Sequence, residues 1–364
     1  MRLLPVLILV LLVPSVLLAG CSQQVGKSGE KTITVTDAAG RTVEVPESVE
    51  RIVAIGPGAL RLVVYLQATD RVVGVEDAET MWGEMGRPYR MAHPELAERP
   101  VIGRGGPYPS PNYEKLAELK PDVVFVSAYP EIADEIQQKT GIPAVVVSYG
   151  KLGSFDDETL LDSLRLMGRI LGKEERAEEV ISFIESAVKD LSSRAEKAGE
   201  SPRVYVGGIS YKGGHGIEST QCSFAPLMVL KARNVACEVN MSGAVFIDKE
   251  KLAEWDPDVI FIDLSNLELV KADYQKNPDF YRELKAFREG RVYGILPFNY
   301  YWTNVEIAIA DAYYMGKVLY PEQFSDIDPV KKADEVFRFF VGRELYSELA
   351  GYYGGFGEIS GEFT

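Results

Sequence analysis

Histidine is nearly absent from this chain: among 364 residues there are only 2, His93 and His215. A bare zinc or manganese centre built from several imidazoles is thereby excluded. Cysteine is almost as scarce, with Cys21 near the N-terminus and Cys222 and Cys237 beyond it, too few for a thiolate cluster or a disulfide-built scaffold. No run of lysines and arginines occurs, and 54 acidic against 39 basic residues leave a net charge of −15. A row of phosphates finds nothing to pair with, so nucleic acid is not a partner. The G-x-S-x-G, Walker A and H-E-x-x-H patterns, which place a nucleophile, a phosphate cradle or a zinc-bound base, are all missing.

A long apolar run without charge occurs at the N-terminus. Arg2 supplies a positive start, residues 3–18 an apolar stretch broken by Pro5 and Pro14, and Leu18-Ala19-Gly20-Cys21 a close of small residues before a cysteine. The run falls short of the ~20 apolar residues a membrane span needs, and its ending resembles a bacterial-type lipoprotein signal. Residues 1–20 are expected to be removed and Cys21 to become the lipidated first residue. Residues 21–30 are expected to tether a soluble body to a membrane face, in the periplasm or on the outer side of the cytoplasmic membrane.

The chain also contains a duplicated unit. Residues 114–127, EKLAELKPDVVFVS, return 136 positions later as EKLAEWDPDVIFID at 250–263, identical at nine of fourteen places. Each copy reads as a short helix, a Pro-Asp turn and an apolar β-branched strand of the kind buried on both faces. Such a unit used twice predicts an α/β chain of two lobes with a groove between them. The length agrees, since 364 residues at 46% apolar and 26% charged exceed one ordinary core and form a globular composition.

Around these copies, residues 32–35 and 42–45 alternate about a turn as a hairpin does. Residues 51–55 and 71–75 read as buried strands separated by a helix over 59–67. The segment 77–111, rich in Gly, Pro, Trp and Tyr, lacks periodicity and is expected to be a site-forming loop. Residues 156–171 carry apolar side chains three or four apart and end at Gly172. Residues 173–197 place Ala177, Val180, Ile184, Ala187, Val188 and Leu191 on one stripe with no internal Gly or Pro. A helix of that length spans about 37 Å, enough to act as a rigid connector. The expected division is an N-terminal lobe 31–154, connecting helices 155–198 and a C-terminal lobe 199–364. Between Cys222 and Cys237, residues 224–233 read as a helix about 15 Å long. A disulfide needs Cα atoms within ~7 Å, so two buried free thiols are expected.

The order of these parts resembles the substrate-binding proteins of ABC importers for iron-siderophores, haem and cobalamin. The resemblance is carried by TVTDAAGRTVEVPESVERIVAIGP, DRVVGVE, PNYEKLAELKPDVVF, LGKEERAEEV, DKEKLAEWDPDVIF and GRVYGILP followed by an aromatic loop, in that order along the chain. It implies two Rossmann-like lobes joined by one long rigid helix. It also implies a monomer that binds a metal chelate and docks on an ABC permease dimer with its ATPase, membrane-held through the lipid anchor and without a resident cofactor. Ferric siderophore is the expected chelate, cobalamin or haem the alternative.

Glu114 and Glu250 occupy equivalent places in the two copies, each behind a candidate N-cap, Asn112 or Asp248. A carboxylate in a first turn is explained by the helix dipole alone. The resemblance adds a second role, one glutamate per lobe pairing with arginines of the permease.

Ligand contacts are expected where parallel strands end. The candidates are Pro57 after the first strand, Trp82, Arg104 and Tyr108 from the long segment, and Tyr129 after the repeat strand. Tyr211, Lys212 and His215 follow in a Gly-rich turn, and Tyr300, Tyr301 and Trp302 in the aromatic loop. Flat aromatics suit a macrocycle or catecholate chelate, and Arg104 and Lys212 suit its anionic oxygens. His215 is either an exposed loop residue or, as in some proteins of the resembled family, a ligand to chelated iron.

A tetrapyrrole chelatase is the alternative from a different class. That chemistry wants a histidine beside a carboxylate, and here His93 precedes Pro94 while His215 has only Glu218 close in sequence. The lipoprotein-like start also argues against a biosynthetic enzyme.

Overall fold

A computed structural model describes residues 31–151, 154–239 and 243–363. Cys21 and the segment before residue 31 lie outside the described residues. In the N-terminal lobe, strands Val72–Gly74, Ile52–Ile55, Val123–Ser127 and Ala144–Val147 lie side by side in that order, all parallel. Every residue of the central pair is buried, which is why both read as unbroken apolar runs. The hairpin Thr32–Thr36 with Thr42–Pro46 joins this sheet through Asp37, whose carboxylate accepts from the backbone of Val146 at 3.0 Å and from Arg41 at 2.7 Å.

The C-terminal lobe repeats the plan. Arg233–Asn234, Arg203–Gly207, Val259–Asp263 and Val292–Ile295 are parallel neighbours, and Gly357–Glu358 closes the edge antiparallel. Helix Glu174–Glu196 joins the lobes and packs on Glu158–Leu171 and on Val305–Leu319. Its Arg176 donates to Tyr65 O at 2.9 Å on one side and to Phe339 O at 2.5 Å on the other. One continuous apolar core runs from the N-terminal sheet through these helices into the C-terminal sheet. The connector is therefore clamped along its length. Among the described residues no helix is long and apolar enough to cross a membrane.

One expectation fails in part and a second fails outright. The segment 77–111 does contribute to the site, through Trp82, Pro107 and Tyr108, but it is not an irregular loop: it carries short helices, Ala78–Met81 and Pro88–Ala92, a 3-10 turn Pro94–Glu98, and a two-residue ladder of Gly103–Arg104 with Ser110–Pro111. Four- and five-residue helices are too short to show a period. The thiols are also not free: Cys222 and Cys237 are bridged, with Cα atoms 4.5 Å apart. The helix between them stops at Ala225–Val229, Lys231 turns the chain in a left-handed conformation, and Arg233–Asn234 is captured as an edge strand beside Arg203 and Val204. Sheet pairing there overrides the local helical preference and doubles the chain back. Asn234 locks the return by donating its amide to Gln221 O at 2.8 Å and Cys222 O at 3.0 Å.

Candidate functional site

The carboxyl ends of the parallel strands converge on a cavity of about 620 Å³ between the lobes. From the N-terminal lobe, Ile52–Ile55 leads to Pro57 and Val123–Ser127 to Tyr129. From the C-terminal lobe, Arg203–Gly207 leads to Ser210, Val259–Asp263 to Ser265, and Val292–Ile295 to Pro297, all lining it. Of the residues expected at a ligand site, Pro57, Trp82, Tyr108, Tyr129, Tyr211, Lys212, Tyr300, Tyr301 and Trp302 are brought together here.

Arg104 and His215 are not. Arg104 is exposed on its two-residue strand. His215 turns away to put Nε2 2.8 Å from Tyr211 O and its ring edge-on to Phe246, centroids 4.7 Å apart. Its role as a ligand to chelated iron therefore finds no support in the geometry.

The aromatic loop is held in an unfavourable shape. Tyr301 and Trp302 both have positive φ, 53° and 73°, at a cost of about 1–3 kcal/mol each for non-glycine residues. Arg61 over-determines the loop from the opposite lobe. Fully buried, it donates to Thr303 O at 3.0 Å, Tyr300 O at 2.9 Å and Tyr301 O at 3.2 Å. These bonds satisfy three carbonyls and turn the rings towards the cavity. Trp82 meets Tyr301 edge-on at 5.1 Å and lies parallel to Tyr300 at 6.3 Å. Trp82 in turn is set by fully buried Arg87, which donates to Trp82 O at 2.8 Å and pairs with buried Glu79 at 2.8 Å.

Beneath this wall sits a carboxyl that sequence reasoning missed. Glu76 is 2% exposed and accepts from Gly56 N at 3.0 Å and from Tyr301 Oη at 2.6 Å, while its other oxygen, Oε1, has no partner among the described residues. Burial pushes its pKa up to about 8, against the pull of those two hydrogen bonds, and neighbouring Glu79 and Asp77 push the same way. Glu76 is thus largely protonated at neutral pH. Gly56 is required at this contact, because its φ is +89° and a Cβ would come 2.9 Å from Ser127 O.

Ser265 was also missed, although the repeat held the clue, for it stands 136 positions after Tyr129. Arg61, Glu76 and Tyr353 carry no such signal.

Glu114 and Glu250 are both exposed in the first turns of Tyr113–Leu119 and Lys249–Trp255. The predicted caps are present: Asn112 accepts from Lys115 N at 3.0 Å and Asp248 from Lys251 N at 2.8 Å. The adjacent lysines pair forward instead, Lys115 with Glu118 and Lys251 with Glu254, each at 2.9 Å. That leaves both glutamates without an ion-pair partner among the described residues. Each helix reverses through a left-handed residue, Lys120 or Asp256, into its strand, and neither glutamate lines the cavity.

Comparison with known proteins agrees with this architecture. The molybdate-binding protein of Haemophilus influenzae is 26% identical over 329 residues, covering 84% of this chain and 90% of that protein. The iron-uptake system-binding protein of Bacillus subtilis is 29% identical over 193 residues, 50% of this chain and 57% of its own length. A solved periplasmic solute-binding protein from Veillonella parvula superposes with a TM-score of 0.69 at 21% identity, over 89% of this chain and 97% of that one. Residues 52–297 match the family profile for periplasmic binding proteins. The chain belongs to the periplasmic binding protein family and is a substrate-binding component of an ABC importer.

Proposed function

We propose that this protein captures an organic metal chelate, a ferric siderophore first among them, and hands it to the importer's permease from a lipid anchor at Cys21. The observation that carries the reading is the cavity itself: about 620 Å³, at the strand ends between two lobes, with two tryptophans and six tyrosines among the 18 residues that line it. A volume of that order suits a ligand of drug size or larger. Aromatic faces match the flat, polarisable surface of a catecholate or macrocyclic chelate.

A bare tetrahedral oxyanion of the kind named for the Haemophilus relative fits poorly. It would fill a small part of the space and would need converging cationic donors. Lys212 is the one cation in the lining among the described residues, exposed and 5.5 Å from the Tyr211 ring centre. The buried guanidiniums nearby are engaged elsewhere: Arg61 donates both NH2 groups to loop carbonyls, leaving only its buried Nε without a partner among the described residues, and Arg87 pairs with Glu79. The name of the Bacillus relative, an iron-uptake protein, points the same way as the aromatic lining. Cobalamin or haem remains the second reading, favoured by the same flat walls.

Glu114 and Glu250 supply the docking. Two exposed carboxylates without an ion-pair partner among the described residues, one per lobe at equivalent positions, suit a two-fold symmetric receptor with cationic sockets and act on orientation and encounter.

Titration of intrinsic tryptophan fluorescence with ferric enterobactin, ferrichrome, ferric citrate, haemin, cyanocobalamin and molybdate tests the ligand class. A chelate is expected to quench, and Trp302→Ala to weaken its binding by ~1–3 kcal/mol, the range for one large apolar contact. His215→Ala is expected to leave affinity within about twofold, because its ring is engaged elsewhere. Tight binding of molybdate alone would overturn the chelate reading.

A further inference from the structure

The family profile ends at residue 297, yet besides the aromatic loop just after it one lining residue of the cavity, Tyr353, comes from far beyond it. Helix Tyr346–Tyr353 starts with Tyr346 N bonded to Asp334 at 3.0 Å and packs through fully buried Leu349. It stops at Gly354, whose φ of 93° and ψ of 152° lie in a region essentially reserved for glycine, and the chain turns sharply. The return is pinned at once. Phe356 N donates to Tyr346 Oη at 2.7 Å, and the Phe356 ring stacks on Tyr314 with centroids 4.4 Å apart. Gly357 and Glu358 then pair with Gly294 and Tyr293, and Phe363 is buried against Phe287 and Tyr274.

The residue between these two anchors, Tyr353, reaches the other lobe. Its hydroxyl donates to Met85 O at 3.1 Å, and its ring lines the cavity. The approach is close enough to exclude a side chain opposite: a Cβ on Gly86 would meet Tyr353 Oη at 2.6 Å and Tyr300 Cδ1 at 3.2 Å. Tyr353 is only half-buried. A residue serving stability alone would be expected to sink its ring. This one keeps a face towards the cavity, while its polar end is spent on a carbonyl of the facing lobe.

We infer that the C-terminal segment 346–363 is a selectivity element: it fixes Tyr353 across the mouth between the lobes, so that this ring sets the width of the cavity and the bulk of the chelate admitted. The inference rests on the reading of the cavity as the ligand site. It adds that a segment outside the matched family region decides which ligand is taken.

The test compares Tyr353→Ala, Tyr353→Phe and Trp302→Ala, each checked for folding by circular dichroism. Affinities are measured for the six probes above, and backbone amide exchange over residues 83–90 is measured without ligand. Tyr353→Ala is expected to weaken the chelate preferred by the wild type and to admit a bulkier one. The ratio of their affinities should shift by about tenfold or more, as removal of a large apolar wall implies. Tyr353→Phe keeps the ring and should hold that ratio within about threefold while loosening the link to Met85. In both variants exchange over 83–90 should accelerate.

An effect of Trp302→Ala with unchanged ratios in Tyr353→Ala would overturn the selectivity role and leave the cavity reading standing. No effect from either alanine would refute the cavity reading itself. Should the wild type bind none of the probes, exchange decides, and unaltered protection in Tyr353→Ala overturns the inference.

Discussion

In the N-terminal lobe the strand Val123–Ser127 opens into Ala128 and Tyr129, while its counterpart Val259–Asp263 opens into Leu264 and Ser265. Up to that point the two copies use the same devices. Asp122 accepts from Arg51 N at 2.8 Å and Asp258 from Arg203 N at 2.9 Å, so the Pro-Asp turn is tied in both lobes to the entry of the neighbouring strand, Ile52–Ile55 or Arg203–Gly207. The helices end alike in a left-handed residue, Lys120 with φ 47° and Asp256 with φ 39°. Beyond the strands the likeness stops. Tyr129 sends its hydroxyl to Pro107 O, whereas Ser265 folds back on buried Asp263, its hydroxyl 2.6 Å from the carboxylate, and Asn266 donates to Gly208 O at 2.7 Å.

The framework is duplicated and the ligand-facing ends are individual. A symmetric partner should therefore read the framework, through Glu114 and Glu250, and an asymmetric ligand should read the strand ends.

The largest expected effect breaks the symmetric half of this comparison. Glu114→Ala with Glu250→Ala should abolish uptake in cells while the purified protein keeps its ligand affinity, and each single variant should retain part of the uptake. Loss of ligand binding in the double variant would show that the glutamates serve the cavity instead.

The next effect probes the asymmetric half. Glu76, in the N-terminal lobe, has its folded pKa raised to about 8 from an ordinary value of 4.5. Its contribution to stability is therefore fully present below pH 4.5 and lost as pH rises through 8. A gap that wide corresponds to a loss of roughly 2–5 kcal/mol on the alkaline side. Glu76→Gln preserves an acceptor for Gly56 N and Tyr301 Oη without the charge. It should flatten the fall in melting temperature between pH 6 and pH 9, and a fall of unchanged size would place the titrating group elsewhere.

A smaller effect separates the lobes by their staple. Only the C-terminal lobe carries a disulfide among the described residues, closing 15 residues of chain between Cys222 and Cys237. Reduction, or Cys222→Ser with Cys237→Ser, should cost about 3 kcal/mol for a loop of that size. Amide exchange should rise around residues 219–239 and stay unchanged in the sheet of the N-terminal lobe. A uniform rise in both lobes would mean that they unfold as one unit.

How much of this was legible in the sequence follows the same division. Framework elements repeat and carry local signals, so the two parallel sheets, the caps Asn112 and Asp248 and the connector could be read from spacing alone. The aromatic loop and Tyr129 were legible because they follow recognisable strands. Glu76 was not, since its significance comes from burial against Gly56 and Tyr301, residues 20 and 225 positions away. Tyr353 was hidden for a similar reason: its helix is short and its contacts with Met85 and Gly86 cross the whole chain. The bridge between Cys222 and Cys237 was misread because an edge strand ended a helix that local preference would have continued. Of the two readings left open for His215, its contacts with Tyr211 O and Phe246 favour the loop residue, and those contacts had no signal in the sequence.

The most direct test of the central claim is native mass spectrometry, with elemental analysis, of the protein purified from its own host beside Trp302→Ala. The account predicts a retained organic ligand containing iron, or cobalt for the corrinoid alternative, in the wild type and its depletion in the variant. A bare oxyanion, or a metal-free ligand retained equally by both proteins, would contradict it.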